Sequence, residues 1–268
     1  MELLDIIALA LIQGITEFLP ISSSGHLALW PLLTGRPDQG VTMDVAVHLG
    51  TLVAVCLFFR KEVGQIFAGL GNLARGKILT PESYLVMLLA IATIPAVIFG
   101  LGLKLAGVMD QLRTVEVIGW ATLLGGLLLG WTDRLPERRK KAEYWTMKDA
   151  ALLGLAQAVA LIPGTSRSGI TMTMARYLGF TRVAAARVAL LMAIPVILAA
   201  GTVETAGVIK DGNLVLGAEL LLGAALSCVA ALVALKVMLA MFASTWTMLP
   251  FVVYRLVLGV VLLWIAYA

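Results

Sequence analysis

The sequence predicts an all-α polytopic membrane protein with six transmembrane helices and two re-entrant helical hairpins, arranged as an inverted-topology repeat. Of the 268 residues, 60% are apolar and only 13% are charged, whereas soluble domains average about 45–50% apolar and about 25% charged residues. Long apolar runs recur along the chain, and two shorter runs are each interrupted by proline. These observations exclude a soluble single domain and make the bilayer the expected solvent for most of the chain.

Six apolar segments are long enough to cross a hydrocarbon core of about 30 Å, which takes about 20 helical residues. They comprise residues 41–60, 82–104, 113–131, 182–203, 214–242 and 248–267. Each is predicted to be a transmembrane helix.

Two further apolar regions do not fit this list. The first covers residues 3–19, meets Pro20 and continues over 22–34, a piece that as a helix would be only about 20 Å long. The second covers residues 149–162, meets Pro163 and Gly164, and continues over 166–179. Pieces this short cannot cross the core, so each region is predicted to be a re-entrant hairpin.

The two broken regions resemble each other. Four residues of the first, Gln13, Ser22, Ser24 and Gly25, recur 144 positions later as Gln157, Ser166, Ser168 and Gly169. Each region is followed by three spans, and three crossings place the second hairpin on the opposite face, so that the two tips meet near mid-membrane. This predicts one integral membrane domain over residues 1–268, with repeat halves at about 1–132 and 149–268 joined by a basic loop.

Basic residues orient the predicted spans. Two groups stand out, Arg60, Lys61, Arg75 and Lys77 after the first span, and Arg134, Arg138, Arg139, Lys140, Lys141 and Lys148 between the halves. The positive-inside rule places both groups in the cytoplasm and the first hairpin on the outer side. We therefore interpret the net charge of +4 as a topology signal and predict no nucleic-acid partner. Arg176, Arg182, Arg187 and Arg255 lie near predicted inner helix ends, where snorkelling to the headgroups is the simplest role.

Polar residues concentrate at the hairpin tips, although a charge in mid-bilayer costs at least about 2.5–3.5 kcal/mol. The first tip carries Gln13, Glu17, Ser22, Ser23, Ser24 and His26, and the second carries Gly164, Ser166, Arg167, Ser168 and Thr171. Serines after a proline favour helix N-caps, and the free N–H groups of two half-helices attract an anion. Arg167 adds a permanently charged, planar donor suited to phosphate. The tips therefore predict an oxyanion site.

Glu17 and His26 indicate chemistry at this site. A carboxylate beside an anion points to a divalent cation or to acid–base work, and a histidine near hydroxyl groups could activate a serine. Other interpretations stay open, because each serine could be only a cap, Glu17 could be paired with Arg167 structurally, and His26 could be a satisfied polar residue.

These motifs resemble the bacitracin-resistance type of undecaprenyl-diphosphate phosphatase, a family of bacterial integral membrane proteins. Residues 13–17 match its motif of Glu or Gln followed after three residues by Glu, and residues 163–171 match its Pro-Gly-x-Ser-Arg-Ser-x-x-Thr motif. The resemblance implies removal of the terminal phosphate from the C55 lipid diphosphate, which yields the carrier lipid for peptidoglycan synthesis. It also implies a divalent cation, Mg²⁺ or Ca²⁺, and an inner-membrane location among membrane lipids with the active site on the periplasmic or outer side. A homodimer is one alternative for the oligomeric state.

Within that resemblance, Ser23 is the expected nucleophile and His26 its base, with attack by water as the alternative. Arg167 is expected to hold the phosphates, assisted by substrate-binding groups at Gln13, Ser22, Ser24, Gly164, Ser166, Ser168 and Thr171. Glu17 is the expected metal ligand and the only carboxylate there, because Gln13 occupies the other motif position. His48 is either a ligand or a packing residue. The rival function is a carrier or flippase for a lipid phosphate or another anion, since inverted repeats with broken helices also form transporters.

Overall fold

A computed structural model describes residues 2–36, 39–108, 110–136, 141–210, 217–244 and 246–268. Within these ranges the chain is all-helical and has no strand. The α-helices are α1 Leu3–Thr16, α2 Ser23–Thr34, α3 Gly40–Phe58, α4 Arg60–Ala74, α5 Pro81–Leu105, α6 Val115–Asp133, α7 Met147–Val159, α8 Arg167–Tyr177, α9 Arg182–Lys210, α10 Ala218–Ala243 and α11 Leu249–Tyr267. Two 3₁₀ turns cover Asp110–Leu112 and Ala142–Tyr144.

Six helices, α3, α5, α6, α9, α10 and α11, are long and apolar enough to cross a membrane. They confirm the six predicted spans, apart from residues 214–216 of the fifth, which lie outside the described residues. Large apolar side chains such as Val229, Val260 and Trp264 remain exposed on these helices. Such exposure is costly in water and favourable in hydrocarbon, so the protein is a multi-span membrane protein.

Helix α4 corrects the sequence analysis, which assigned Arg60 and Lys61 to a loop. After three charged residues at its start, apolar residues recur at helical spacing as Val63, Ile66, Leu70 and Leu73, which is the pattern of an amphipathic helix. It packs on α5 at Gly69, where an added Cβ would lie 2.3 Å from the carbonyl oxygen of Glu82. The second basic group is only partly described, because Arg138, Arg139 and Lys140 fall outside the described residues.

Helices α1, α2, α7 and α8 are short, with 14, 12, 13 and 11 residues. At 1.5 Å per residue they are about 17–21 Å long, below the core thickness of about 30 Å. They occupy the positions of the four predicted hairpin pieces. Helix α1 packs against α10, and its sequence counterpart α7 packs against α5.

The arginines near the inner helix ends do not snorkel as expected. Arg176 is 1% exposed, and its guanidinium donates hydrogen bonds to the carbonyl oxygens of Phe180 at 2.6 Å and Asp133 at 3.2 Å. Arg182 Nε donates to the carboxylate of Asp133 at 2.7 Å, and Arg187 pairs with Glu62 on α4. Sequence position suggested contact with headgroups, but nearby acceptors hold Arg176 inside the protein, and Arg182 and Arg187 are engaged in ion pairs while partly exposed.

Candidate active site

The two half-helices α2 and α8 begin in the same unusual way. Their N-cap residues, Ser22 with φ 75° and Ser166 with φ 68°, are the only non-glycine residues with positive φ in the described part of the chain. Each serine hydroxyl accepts a hydrogen bond from the backbone N–H three residues on, that of Gly25 or Gly169. Left-handed backbone is unfavourable for a side chain, so both caps are held by their surroundings at corresponding positions of the two halves.

The two breaks contact each other through serines. Ser24 Oγ accepts a hydrogen bond from the backbone N–H of Gly164 at 3.4 Å, and Ser168 Oγ donates to the carbonyl of Leu19 at 2.9 Å. Gly164 has φ 90°, and a Cβ there would lie 2.4 Å from the carbonyl oxygen of Ile118. Only glycine fits this position. The structure thus brings the two predicted tips together.

Arg255 on α11 donates hydrogen bonds to both breaks. It is fully buried, and it donates to the carbonyl oxygens of Pro20 at 3.3 Å, Gly164 at 3.2 Å and Thr165 at 2.8 Å, besides that of Thr122 on α6 at 3.1 Å. The expectation that Arg255 snorkels is therefore wrong. Sequence reasoning missed this role because all of these acceptors, and the further one on Ala121, are backbone carbonyls, which leave no residue pattern to find.

Glu17 is the centre of the polar cluster between the breaks and is 8% exposed. Its Oε1 accepts a hydrogen bond from Arg167 Nη2 at 3.1 Å. Its Oε2 accepts one from Ser23 Oγ at 2.7 Å and one from Gln13 Nε2 at 2.9 Å, and it lies 3.8 Å from His48 Nε2. The structure therefore gathers four predicted site residues and brings His48 beside them.

His26 is placed differently from the prediction. Its Nδ1 lies 2.6 Å from the carbonyl oxygen of Ser22, and its Nε2 lies 2.5 Å from the hydroxyl of Tyr254, whose ring stacks on the imidazole at 5.6 Å. Both ring nitrogens are engaged, so the expected hydrogen bond between His26 and Ser23 is not formed. The Ser23 hydroxyl donates its hydrogen bond to Glu17 instead. Tyr254 was missed, since it follows His26 by 228 residues and belongs to no motif.

Other predicted substrate-binding hydroxyls are occupied within the protein. Thr171 is fully buried, and its Oγ1 donates to the carbonyls of Arg167 at 2.7 Å and Ser168 at 3.1 Å. Ser22 and Ser166 serve as caps. These residues shape the two breaks in this structure, and their contact with phosphate stays a prediction.

A family model described as bacitracin resistance protein BacA matches residues 6–261. The chain belongs to this family. Over the whole length of both proteins, it is 52% identical to a relative from Jannaschia sp. (strain CCS1) and 51% identical to one from Ruegeria pomeroyi. A third relative, from Chromohalobacter salexigens, is 49% identical over 99% of this chain. All three carry the name undecaprenyl-diphosphatase.

The donor set of this BacA family member fits a hard divalent cation. Within the described residues, no three His, Cys, Asp or Glu side chains gather as a metal cluster. Glu17 nevertheless offers a carboxylate, and Gln13 Oε1 is buried with no hydrogen-bond partner in the described structure. Mg²⁺ and Ca²⁺ prefer oxygen ligands, and Mg²⁺ is commonly bound by one or two carboxylates together with substrate phosphates.

Proposed function

We propose that the protein is an undecaprenyl-diphosphate phosphatase of the bacterial inner membrane, which hydrolyses the C55 lipid diphosphate to its monophosphate. The name carried by full-length relatives at about half identity supports this function. The observation that carries it is the buried carboxylate of Glu17, which binds the hydroxyl of Ser23 and the guanidinium of Arg167 at once. A nucleophile, a proton acceptor and a phosphate-binding cation thereby meet at one place.

The diphosphate is bound at the N-termini of α2 and α8. Arg167 Nη1 is buried without a hydrogen-bond partner among the described residues, so it is available to a phosphate oxygen. The free N–H groups at the two helix starts and the helix dipoles favour the same negative charge. The C55 tail remains between helices in the outer leaflet, and these fixed donors stabilise the charge of the transition state.

Ser23 is the nucleophile, and Glu17 is positioned as its proton acceptor. Ser23 Oγ attacks the terminal phosphorus while Glu17 takes the hydroxyl proton, and the bond from phosphorus to the bridging oxygen breaks. The lipid monophosphate leaves, since its oxygen carries the negative charge without needing a proton. Water then attacks the phosphoserine, the bond between phosphorus and Ser23 Oγ breaks, and inorganic phosphate is released. The proton held by Glu17 returns to Ser23 Oγ and restores the hydroxyl. His26, one helical turn beyond Ser22, is the proposed proton acceptor for that water, after its Nε2 has left Tyr254.

Gln13, Glu17 and Ser23 would hold the divalent cation, Mg²⁺ or Ca²⁺, through their oxygen atoms. When bound, the cation neutralises part of the diphosphate charge and so favours attack by an oxygen nucleophile. Water attack without a covalent intermediate is the alternative chemistry.

The proposed architecture is an inverted repeat of halves at about 1–132 and 149–268, with α1–α2 and α7–α8 as re-entrant hairpins. Support comes from the short helices, from the matching caps at Ser22 and Ser166, and from the related packing of α1 on α10 and α7 on α5. The positive-inside rule, applied to the two basic groups, supports a location of the first hairpin and the active site on the outer side.

Phosphate release by purified protein in detergent tests the function. With C55 or shorter isoprenyl diphosphates the wild type is expected to release phosphate, and Arg167→Ala and Glu17→Ala are expected to lose release. Arg113→Ala, which removes an exposed arginine outside the site, is the matched control and should match the wild type. No release by the wild type would refute the phosphatase and favour the anion carrier.

The covalent route is tested by trapping. Brief reaction with substrate labelled in the terminal phosphate should label the wild type and leave Ser23→Ala unlabelled. Normal turnover by Ser23→Ala would assign the attack to water.

A further inference from the structure

The ring of His48 faces Glu17 with its Nε2 atom. His48 Nδ1 lies 2.7 Å from the backbone carbonyl oxygen of Asp44. A carbonyl only accepts hydrogen bonds, so Nδ1 carries the proton, and Nε2 of the neutral ring carries a lone pair. That Nε2 lies 3.8 Å from Glu17 Oε2. Two electron-rich atoms therefore face each other at a distance too long for a hydrogen bond.

Gln13 brings a third electron-rich atom on a side chain that binds the same carboxylate oxygen. Its side chain is fully buried, its Nε2 donates to Glu17 Oε2 at 2.9 Å, and its Oε1 has no partner in the described structure. A buried amide oxygen left unpaired costs about 1–3 kcal/mol. A bound cation would remove that cost.

The separation of the two facing atoms suits a bridging metal ion. Divalent ions bind imidazole nitrogen and carboxylate oxygen at about 2.0–2.2 Å, so one ion can contact two atoms up to about 4 Å apart. The distance from His48 Nε2 to Glu17 Oε2 is 3.8 Å. Arg167 binds the other oxygen, Oε1, and leaves Oε2 to this side of the carboxylate.

We propose that His48 Nε2 is a ligand of the divalent cation, together with Glu17 and Gln13. This inference rests on the cation site of the proposed function and deepens it. One carboxylate, one amide oxygen, the Ser23 hydroxyl and one imidazole form a site with a single negative charge. Because imidazole suits Zn²⁺, whereas Ca²⁺ prefers oxygen, the site is expected to bind Zn²⁺ more tightly than an all-oxygen site would.

Calorimetric titration of the purified protein with Zn²⁺ and with Ca²⁺, in the absence of lipid substrate, tests the ligand role. In His48→Gln the dissociation constant for Zn²⁺ is expected to rise by about tenfold or more, by comparison with the losses seen when outer-sphere partners of metal ligands are removed. The constant for Ca²⁺ should change by less than about threefold. An unchanged Zn²⁺ constant, or an equal rise for both ions, would overturn the proposal and leave an ion pair between His48 and Glu17.

The other histidine supplies the matched control. His26 also directs Nδ1 to a backbone carbonyl four residues back, so His26→Gln removes a similarly held ring without touching Glu17, and it should keep both metal constants. Nitrogen-15 spectra of labelled histidine give a second measurement, in which a diamagnetic ion such as Zn²⁺ shifts His48 Nε2 while Nδ1 stays protonated. Two protonated nitrogens that do not respond to the ion would contradict ligation. If the wild type binds the metal ion but releases no phosphate, that result would count against the proposed function and leave this inference standing.

Discussion

Replacement of Arg255 by leucine tests whether this arginine holds the two breaks in the geometry that activity requires, in addition to stabilising the fold. The substitution removes the donors to three carbonyl oxygens in the two breaks, those of Pro20, Gly164 and Thr165. The carbonyl of Gly164 keeps a hydrogen bond from Thr122 Oγ1, so those of Pro20 and Thr165 lose their partner. Each buried carbonyl that loses its partner costs about 1 kcal/mol or more, which gives about 2 kcal/mol for the two. Since about 1.4 kcal/mol corresponds to tenfold in rate, kcat for phosphate release should fall by about thirtyfold.

Arg176 provides the matched control, because it too is buried and donates to backbone carbonyls, those of Phe180, Asp133 and Leu135. Arg176→Leu should lower the thermal midpoint in detergent as Arg255→Leu does, yet retain kcat in the folded fraction. Both quantities can be measured on the same preparations, by thermal unfolding and by initial rates at saturating substrate. Equal kcat values for the two variants would refute the conclusion that Arg255 holds the two breaks in their active geometry.

Three further substitutions have expected outcomes. Gly164→Ala should abolish activity and lower the thermal midpoint, because its Cβ would clash with the backbone of α6. The control Gly35→Ala is also at positive φ but has open space around it, and it should lower the midpoint by only a few degrees in thermal unfolding. Tyr254→Phe should not lower kcat, because His26 Nε2 has to leave the tyrosine hydroxyl before it takes a proton, and it should broaden the nitrogen-15 signal of His26 Nε2 without changing the melting curve. Asp133→Asn should destabilise the protein by about 3 kcal/mol in denaturant titrations by breaking a buried ion pair, while the KM for the lipid diphosphate stays unchanged.

The spans and the polar cluster could be predicted because each leaves a local pattern. An apolar run of about 20 residues has one plausible structure in a bilayer, and the Pro-broken serine segments signal helix starts. Helix α4 was not predicted, because a segment of 15 residues with basic and acidic groups resembles a loop as much as an amphipathic helix.

The chemistry within the cluster was harder to predict, since it depends on side-chain direction. Ser23 and His26 lie three residues apart on one half-helix, so proximity in sequence suggested that they pair. In the structure the imidazole turns back to the Ser22 carbonyl and out to Tyr254, and the chain reversal after α1 places Glu17 over Ser23 instead. Contacts between distant helices decided both outcomes.

The ion pair between Glu17 and Arg167 makes the protein's own carboxylate a competitor of its substrate. Arg167 Nη2 binds Glu17 Oε1 at 3.1 Å, so a phosphate that is to bind both terminal nitrogens of the guanidinium has to displace an anion that is always present at high local concentration. A lipid diphosphate carries more negative charge than its monophosphate product and competes better for the guanidinium. Once the terminal phosphate has been removed, Glu17 can reclaim Arg167, and the exchange favours product departure over repeated binding of the carrier lipid.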